Sequence, residues 1–122
     1  MSTHPNVILL CRLTCDDLAR KTYREIVDKF KQTPNYEEDN SDLIIGDKFY
    51  HAFVFESDYH ENWQISGHEG EIAVFDHVTY GYGEEVAWDN LETQKRDLES
   101  WAKQVCEEFH CSYKISVTAN YW

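Results

Sequence analysis

Basic residues are almost missing from the middle of this 122-residue chain. Between Pro34 and Glu92, the acidic segment, the only lysine or arginine is Lys48, against 15 aspartates and glutamates. The flanking residues 1–33 and 93–122 are close to neutral, so the formal net charge of −12 arises in the acidic segment. Nucleic acids and anionic membranes repel such a charge, which argues against binding to either. A basic protein partner, a cationic ligand or a divalent metal is allowed.

Long hydrophobic runs are also missing. Residues 1–7 have no positively charged region, and the apolar run Val7–Cys11 is too short for a signal peptide or a membrane span. The sequence therefore predicts a cytoplasmic protein with reduced thiols. A length of 122 residues, with 42% hydrophobic and 15% aromatic residues, predicts a single globular domain over residues 1–122.

The four cysteines lack the usual spacing of a zinc site. Cys11 and Cys15 are separated by three residues, and Cys106 and Cys111 by four. Both spacings lie at or beyond the edge of the usual range, and no loop knuckle surrounds them. We interpret the cysteines as ordinary buried thiols in preference to zinc ligands, alone or with His110.

No motif specifies a reaction. The pair Gly81 and Gly83 precedes a helix, but the other glycines of a phosphate loop are missing and Glu84 and Glu85 would repel phosphate. Histidines in the acidic segment suit a transition metal together with a carboxylate, yet their spacing requires no such site. Surface or half-buried positions are the simpler interpretation of these four residues: His51, His60, His68 and His77.

Asp76 is the best candidate for an acid–base group. It interrupts an apolar strand face, where a carboxylate must be paired, hydrogen-bonded or part of a site. A structural carboxylate bonded to a tyrosine or to backbone amides is the favoured interpretation. The alternative is a small enzyme that uses Asp76 or His77 as acid or base. Its pocket would be lined by Phe53, Phe55 and Phe75.

Hydrophobic periodicity predicts the order strand, helix, two to four strands, helix, strand. This resembles the β-α-β-β-α-β order of an α+β, ferredoxin-like two-layer sandwich, with extra short strands between the first helix and the long central strand. That architecture hosts many unrelated functions. The apolar run in the first strand predicts a central position with little exposure on either face. Asn35–Ser41 is expected to be a loop and Gly46–Asp47 a turn, and strand alternation places Asp76 and His77 on opposite faces. The residues expected to be buried are Ala19, Tyr23, Ile26, Val27 and Phe30 on the first helix, Leu91, Leu98, Trp101, Ala102, Val105 and Phe109 on the second, and Tyr113, Ile115, Val117, Ala119 and Tyr121 on the last strand. The predicted elements are strand Asn6–Leu13, a helix from Thr14 to about Gln32, edge strand Leu43–Ile45, strand Lys48–Glu56, short strand Trp63–Ser66, the longest strand Glu71–Tyr82, a helix from a capping box of Asp89 and Glu92 to about His110, and strand Ser112–Tyr121.

The acids of the middle segment are expected to stand on a rigid frame, because its strands should form much of the sheet. Residues two apart on a strand share one face, so such acids can present a row of charge to a basic groove. Exposed aromatics among them can anchor an interface. The aromatic candidates are Tyr36, Tyr59, Trp63, Tyr80, Tyr82 and Trp88. The predicted partner-binding residues are Glu37, Glu38, Asp39, Asp42, Glu56, Asp58, Tyr59, Glu61, Trp63, Glu69, Glu71, Tyr82, Glu84 and Glu85.

The sequence therefore predicts a small acidic, non-catalytic binding protein without cofactor or metal. It would neutralise a basic, nucleic-acid-handling partner such as a nuclease, a nucleic-acid-binding effector or a toxin. Anti-defence inhibitors, nucleic-acid mimics and toxin-immunity proteins belong to this class, and a homodimer is compatible with it. Besides the enzyme, a metal-binding module remains an alternative, and the acids could serve solubility alone.

Overall fold

Five strands and two helices make up the part of the chain that the computed structural model describes, residues 5–15, 19–30, 40–54, 71–79, 83 and 85–121. Neither helix in these ranges is long and apolar enough to cross a membrane. The elements are β1 (Pro5–Cys15), α1 (Ala19–Phe30), β2 (Asn40–Ile45), β3 (Lys48–Val54), β4 (Glu71–Thr79), α2 (Trp88–Phe109) and β5 (Cys111–Tyr121).

The strands form one antiparallel sheet in the order β2-β3-β4-β1-β5. The predicted α+β class is confirmed, and β1 and β4 are interior strands as expected. The order differs from the predicted ferredoxin-like one. In that topology the strand after the first helix runs parallel to β1, whereas here α1 leads to β2, which lies outside β3 and runs antiparallel to β1. A tight turn then returns the chain as β3, beside β4.

Both helices pack on the same face of the sheet, the near face. Hydroxyl Oη of the buried Tyr23 in α1 donates a hydrogen bond to the carbonyl oxygen of Ala52 in β3, at 3.1 Å. The predicted buried residues of both helices lie at this interface wherever their burial is described, with Phe30, Leu91 and Phe109 only partly buried. The near-face core comprises Leu9, Cys11, Leu13, Cys15, Tyr23, Ile26, Val27, Leu43, Ile45, Tyr50, Ala52, Val54, Ile72, Val74, Leu98, Trp101, Ala102 and Val105.

A second buried cluster lies on the opposite side of the sheet, the far face. It consists of Ile8, Leu10, Phe53, Ala73 and Phe75. These side chains alternate with near-face residues along β1, β3 and β4, as the two-residue period of a strand requires. The apolar run at the start of β1 is therefore buried on both faces, which confirms its predicted central position.

The β2–β3 turn depends on Gly46 and Asp47, which the sequence marked as a turn. Their φ angles are 59° and 68°, and a two-residue type I′ hairpin turn needs positive φ at both positions. A Cβ atom on Gly46 would lie 2.9 Å from Oδ2 of Asp97 in α2. Backbone conformation and close packing against α2 therefore both favour glycine at this position.

The predicted capping box of α2 is wrong. The helix begins at Trp88, with Ala87 as the N-cap and no side-chain capping bond. The carbonyl oxygen of Ala87 accepts hydrogen bonds from the N–H groups of Asn90 and Leu91, at 3.1 and 3.2 Å. Asp89 therefore lies inside the first turn, where the positive end of the helix dipole stabilises its negative charge.

Several strand predictions need correction. The structure describes β4 over nine residues, Glu71–Thr79, and the last three residues of the predicted strand, Tyr80–Tyr82, lie outside the described residues. β2 starts at Asn40, so Asn40 and Ser41 belong to a strand and not to a loop. Val117 is 54% exposed, because the near-face core packs against Tyr113 and Ile115 and leaves this later residue of β5 uncovered. The predicted strand Trp63–Ser66 lies outside the described residues.

Candidate functional site

Three of the predicted partner-binding residues fall within the described residues. Asp42 is in β2, Glu71 opens β4, and Glu85 precedes α2. Glu85 is exposed, whereas Asp42 and Glu71 are partly buried. The remaining predicted partner-binding residues lie outside the described ranges: Glu37, Glu38, Asp39, Glu56, Asp58, Tyr59, Glu61, Trp63, Glu69, Tyr82 and Glu84.

Two of these acids contact cationic or titratable side chains on the far face. Oδ1 of Asp42 lies 3.0 Å from Nδ1 of His51, its register partner on β3. Oε2 of Glu71 lies 4.0 Å from Nε of Arg12 on β1. Partly exposed pairs of this kind contribute about 0–1 kcal/mol each, so they orient the carboxylates more than they stabilise the fold.

The single lysine of the acidic segment forms an ion pair within the chain. Nζ of Lys48, at the start of β3, lies 2.7 Å from Oδ2 of Asp76 in β4. The expectation that Asp76 is a paired carboxylate is confirmed, although the partner is a lysine and not the tyrosine or backbone amides that the sequence suggested. The sequence contains a hint of this partner, because Lys48 is the only lysine or arginine in a segment with 15 acids.

Tyr50 lies beside this ion pair in the near-face core. Burial, and secondarily the charges of Asp76 and Asp97, raise the pKa of Tyr50 to about 12. The phenol therefore stays protonated at neutral pH and can only act as a neutral hydrogen-bonding group. Sequence reasoning missed the approach of Asp97, because it comes from α2, far along the chain.

Aromatic and imidazole rings assemble on the far face around Phe75. The ring centroid of Phe75 lies 5.2 Å from that of His51, 5.8 Å from that of Phe53 and 6.1 Å from that of His77. The two imidazoles are 6.0 Å apart and nearly perpendicular. Asp76 pairs on the near face, so the prediction that Asp76 and His77 point to opposite faces is confirmed.

His77 is shifted toward its neutral form. Burial lowers its pKa, and so does the neighbouring His51, while Asp76 acts in the opposite direction. A neutral imidazole can accept a proton or a metal. No group of three or more histidine, cysteine, aspartate or glutamate side chains is arranged to hold a metal ion within the described ranges. His60 and His68, from which a metal site was considered, lie outside these ranges.

The lowered pKa of His77 makes the stability pH-dependent. Because the folded state binds this proton less readily than the unfolded state, the contribution is present above the ordinary pKa of about 6.5. It is lost as the pH falls from there toward the lowered value. We expect the free energy of unfolding, measured with urea, to fall less between pH 7 and pH 5 in His77→Gln than in the unsubstituted protein.

The control is His110→Asn at the end of α2. His110 is exposed and left-handed, with φ of 55°, and asparagine tolerates that conformation. Because this variant leaves His77 and its neighbours intact, it should retain the loss of stability on acidification that His77 causes. An equal loss of stability on acidification in His77→Gln and in the unsubstituted chain would contradict the assignment.

Large apolar side chains are exposed at three described positions. Trp88 is 75% exposed, Phe49 is 55% exposed, and Val117 also reaches solvent. Trp88 opens α2, and the exposed acids Glu85 and Asp89 flank it in sequence. The start of α2 therefore presents an indole beside carboxylates, the combination predicted for an interface anchor. The other aromatic candidates lie outside the described residues.

The fold defines this chain as an α+β protein with a five-stranded antiparallel sheet and two helices on one face. Comparison with models of known protein families, with curated proteins and with solved structures finds no match.

Proposed function

We propose that this chain is a small acidic, non-catalytic binding protein that neutralises a basic, nucleic-acid-handling partner. The observation that carries the proposal is the acidic segment, whose only lysine, Lys48, is engaged by Asp76 at 2.7 Å. An ordinary solvated surface mixes charges of both signs. The remaining carboxylates of this segment therefore have few lysine or arginine side chains beside them. A basic partner can pair with these carboxylates directly.

Exposed residues near the start of α2 support the same proposal. Glu85, Asp89 and Glu92 are exposed there, together with the indole of Trp88. Long-range attraction to such carboxylates raises the association rate, and a buried tryptophan slows dissociation. Tryptophan is also among the residues most enriched at the energetic centres of protein interfaces.

The proposed class includes anti-defence inhibitors, nucleic-acid mimics and toxin-immunity proteins acting in the cytoplasm. Its partner would be a nuclease, a nucleic-acid-binding effector or a toxin.

For the fold, we propose a ferredoxin-like sandwich extended by one strand. Without β2, the order β3-β4-β1-β5 corresponds to the four-stranded ferredoxin-like sheet, and β2 is then an added edge strand.

Neutralising three exposed acids of this segment tests the proposal. Asp47→Asn, Glu85→Gln and Glu92→Gln are combined, since Asn suits the left-handed conformation at position 47. Basic proteins captured from a cell lysate by the immobilised chain are identified and purified, and their affinity and association rate are measured at several salt concentrations. We expect the triple variant to bind about tenfold more weakly at low salt, mainly through slower association.

A matched triple variant removes the same charge elsewhere. Glu25→Gln, Glu99→Gln and Glu107→Gln lie on the helices outside the acidic segment. We expect it to keep the affinity within about threefold, because the local carboxylates and not the total charge steer the partner. Equal weakening by both triples, an affinity unaffected by salt, or capture of no nucleic-acid-handling protein would each contradict the proposal.

A second candidate function is acid–base catalysis on the far face. One observation favours it, namely the contact between Oδ1 of Asp42 and Nδ1 of His51 at 3.0 Å. A carboxylate that accepts the Nδ1 proton leaves Nε2 as the proton acceptor of the ring. The charge variants above leave Asp42 and His51 intact, so an activity that depends on this pair should survive in both triples.

A further inference from the structure

Four cysteines from distant parts of the chain interact at one corner of the near face. Cys11 and Cys15 lie in β1, Cys106 in α2 and Cys111 at the start of β5, and all are free thiols. Burial is the largest cause of the raised pKa values of Cys11, Cys15 and Cys106, and neighbouring thiols of the group raise these pKa values further.

Cys15 and Cys111 are in direct contact within this group. They are register partners at one end of the antiparallel β1–β5 pair, and their sulfur atoms are 2.7 Å apart. A disulfide bond is about 2.0 Å long and joins residues whose Cα atoms are roughly 4.4–6.8 Å apart. Directly opposed residues on antiparallel strands have Cα atoms about 4.5 or 5.5 Å apart, which lies within that range.

We propose that Cys15 and Cys111 form an oxidation site, at which a hydroperoxide converts the two thiols into a disulfide between β1 and β5. Formation of this disulfide requires neither the proposed partner nor the acidic segment.

The reaction balances as two successive displacements. The thiolate of one cysteine attacks the hydroperoxide, the O–O bond breaks, and the products are a sulfenic acid and an alcohol, or water from hydrogen peroxide. The second thiol then attacks the sulfenic sulfur, forms the S–S bond and releases water. Two electrons pass from the sulfur atoms to the peroxide. Both thiol hydrogens leave in the released alcohol and water.

The two cysteines differ in access. Cys111 is partly exposed, whereas Cys15 is buried, with only 9% of its surface exposed. Cys111 is therefore the thiol that a peroxide reaches first, and Cys15 resolves the sulfenic acid. Burial is the largest of the effects that raise the pKa of Cys15 to about 12, so this thiol is protonated at neutral pH and the second step should accelerate as the pH rises.

A metal site does not fit this pair. Two thiolates on a tetrahedral zinc ion, with Zn–S bonds of about 2.3 Å, have sulfur atoms roughly 3.8 Å apart. The observed separation is 2.7 Å, and no third donor completes a metal-binding group among the described side chains. The geometry lies closer to a disulfide than to a shared ion.

The disulfide would join residues 96 positions apart in sequence. Closing so long a loop strongly restricts the unfolded chain. The bond would also fix the interior strand β1 to its neighbour β5. We therefore expect the oxidised protein to melt at least about 8 °C higher than the reduced protein.

The test treats the whole chain with hydrogen peroxide at pH 8 and compares it with chain kept in a thiol reductant. Peptide mapping by mass spectrometry under non-reducing conditions should find a Cys15–Cys111 link, and thermal unfolding should show the higher melting temperature. Adding reductant should reverse both. The link is mapped in the unsubstituted protein, so this result does not depend on whether a cysteine variant folds.

Two variants separate the thiols. Cys111→Ser should abolish the link and the change in melting temperature, whereas Cys106→Ser, which removes another partly buried thiol of the same corner, should preserve both. A link between Cys106 and Cys111, oxidation of Cys111 to sulfinic acid without a link, or a thiol-bound metal that blocks the link would overturn the proposal.

Discussion

Replacing Trp101 by alanine is expected to lower the free energy of unfolding by about 3–5 kcal/mol. Trp101 is 5% exposed, and its ring packs edge to face against Phe30, with centroids 5.8 Å apart. The contact joins α1 to α2 above the sheet, so the substitution opens a cavity between both helices and the near-face core. Whole domains are stable by only about 5–15 kcal/mol, so urea unfolding followed by circular dichroism should show a large shift of the midpoint.

The same change at Trp88 provides the control on the same helix. Trp88 is exposed, so Trp88→Ala should alter the free energy of unfolding by no more than about 0.5 kcal/mol. If Trp88 anchors the proposed partner, this variant should fold normally and yet release the partner faster. Equal destabilisation by the two substitutions would show that the helix layer is not packed as described.

Replacing Phe75 by alanine is expected to cost about 3–5 kcal/mol and also to change the chemistry of the far face. Phe75 is 3% exposed and packs against the imidazoles of both His51 and His77. Its removal admits water to His77, and burial is the main cause of the lowered pKa of that residue. The pKa of His77, followed by NMR titration, should therefore rise toward its ordinary value.

Phe49 serves as the matched phenylalanine. It lies on β3 with its side chain largely in solvent, so Phe49→Ala should leave both the stability and the titration of His77 nearly unchanged. A folded Phe75→Ala variant with an unaltered His77 titration would show that the aromatic cluster does not shield the imidazole.

Local patterns were sufficient for much of the fold. The continuous apolar run in β1 predicted a strand buried on both faces, and glycine followed by aspartate at 46–47 predicted the hairpin turn. The helical period predicted the buried residues of α2 at Leu98, Trp101 and Val105. These features depend on the chain within a few residues, which is the range over which periodicity and turn propensity act.

One local feature and several features that depend on distant residues were predicted wrongly or not at all. The start of α2 was misplaced because Asp89 and Glu92 match a capping box, whereas Ala87 and its carbonyl oxygen begin the helix. The strand order was incompletely predicted, because sequence periodicity does not show to which edge α1 delivers the chain. The cysteine spacings in sequence gave no sign that Cys15 and Cys111 are register partners.

For the candidate site, composition was more informative than motif. The contrast between one lysine and 15 acids indicated the charged character of the segment, and the apolar strand face that Asp76 interrupts indicated a paired carboxylate. The pairing with Lys48 itself was not predicted, because the sequence favoured a tyrosine or backbone amides. The pairing of Asp42 with His51 was not predicted, since it needs the register of β2 on β3. Registers follow from packing across the whole sheet, which no single stretch of sequence specifies.

The position of β1 has a consequence for how the protein folds. Both neighbours of this strand come from much later in the chain, β4 from residues 71–79 and β5 from residues 111–121. Ribosomes add roughly 5–20 residues per second, so β1 waits for seconds with two unpaired edges before its partners are synthesised. Contacts of such long range also slow folding. During synthesis, β1, whose apolar run is buried on both faces of the folded sheet, is therefore a segment that chaperones would need to protect.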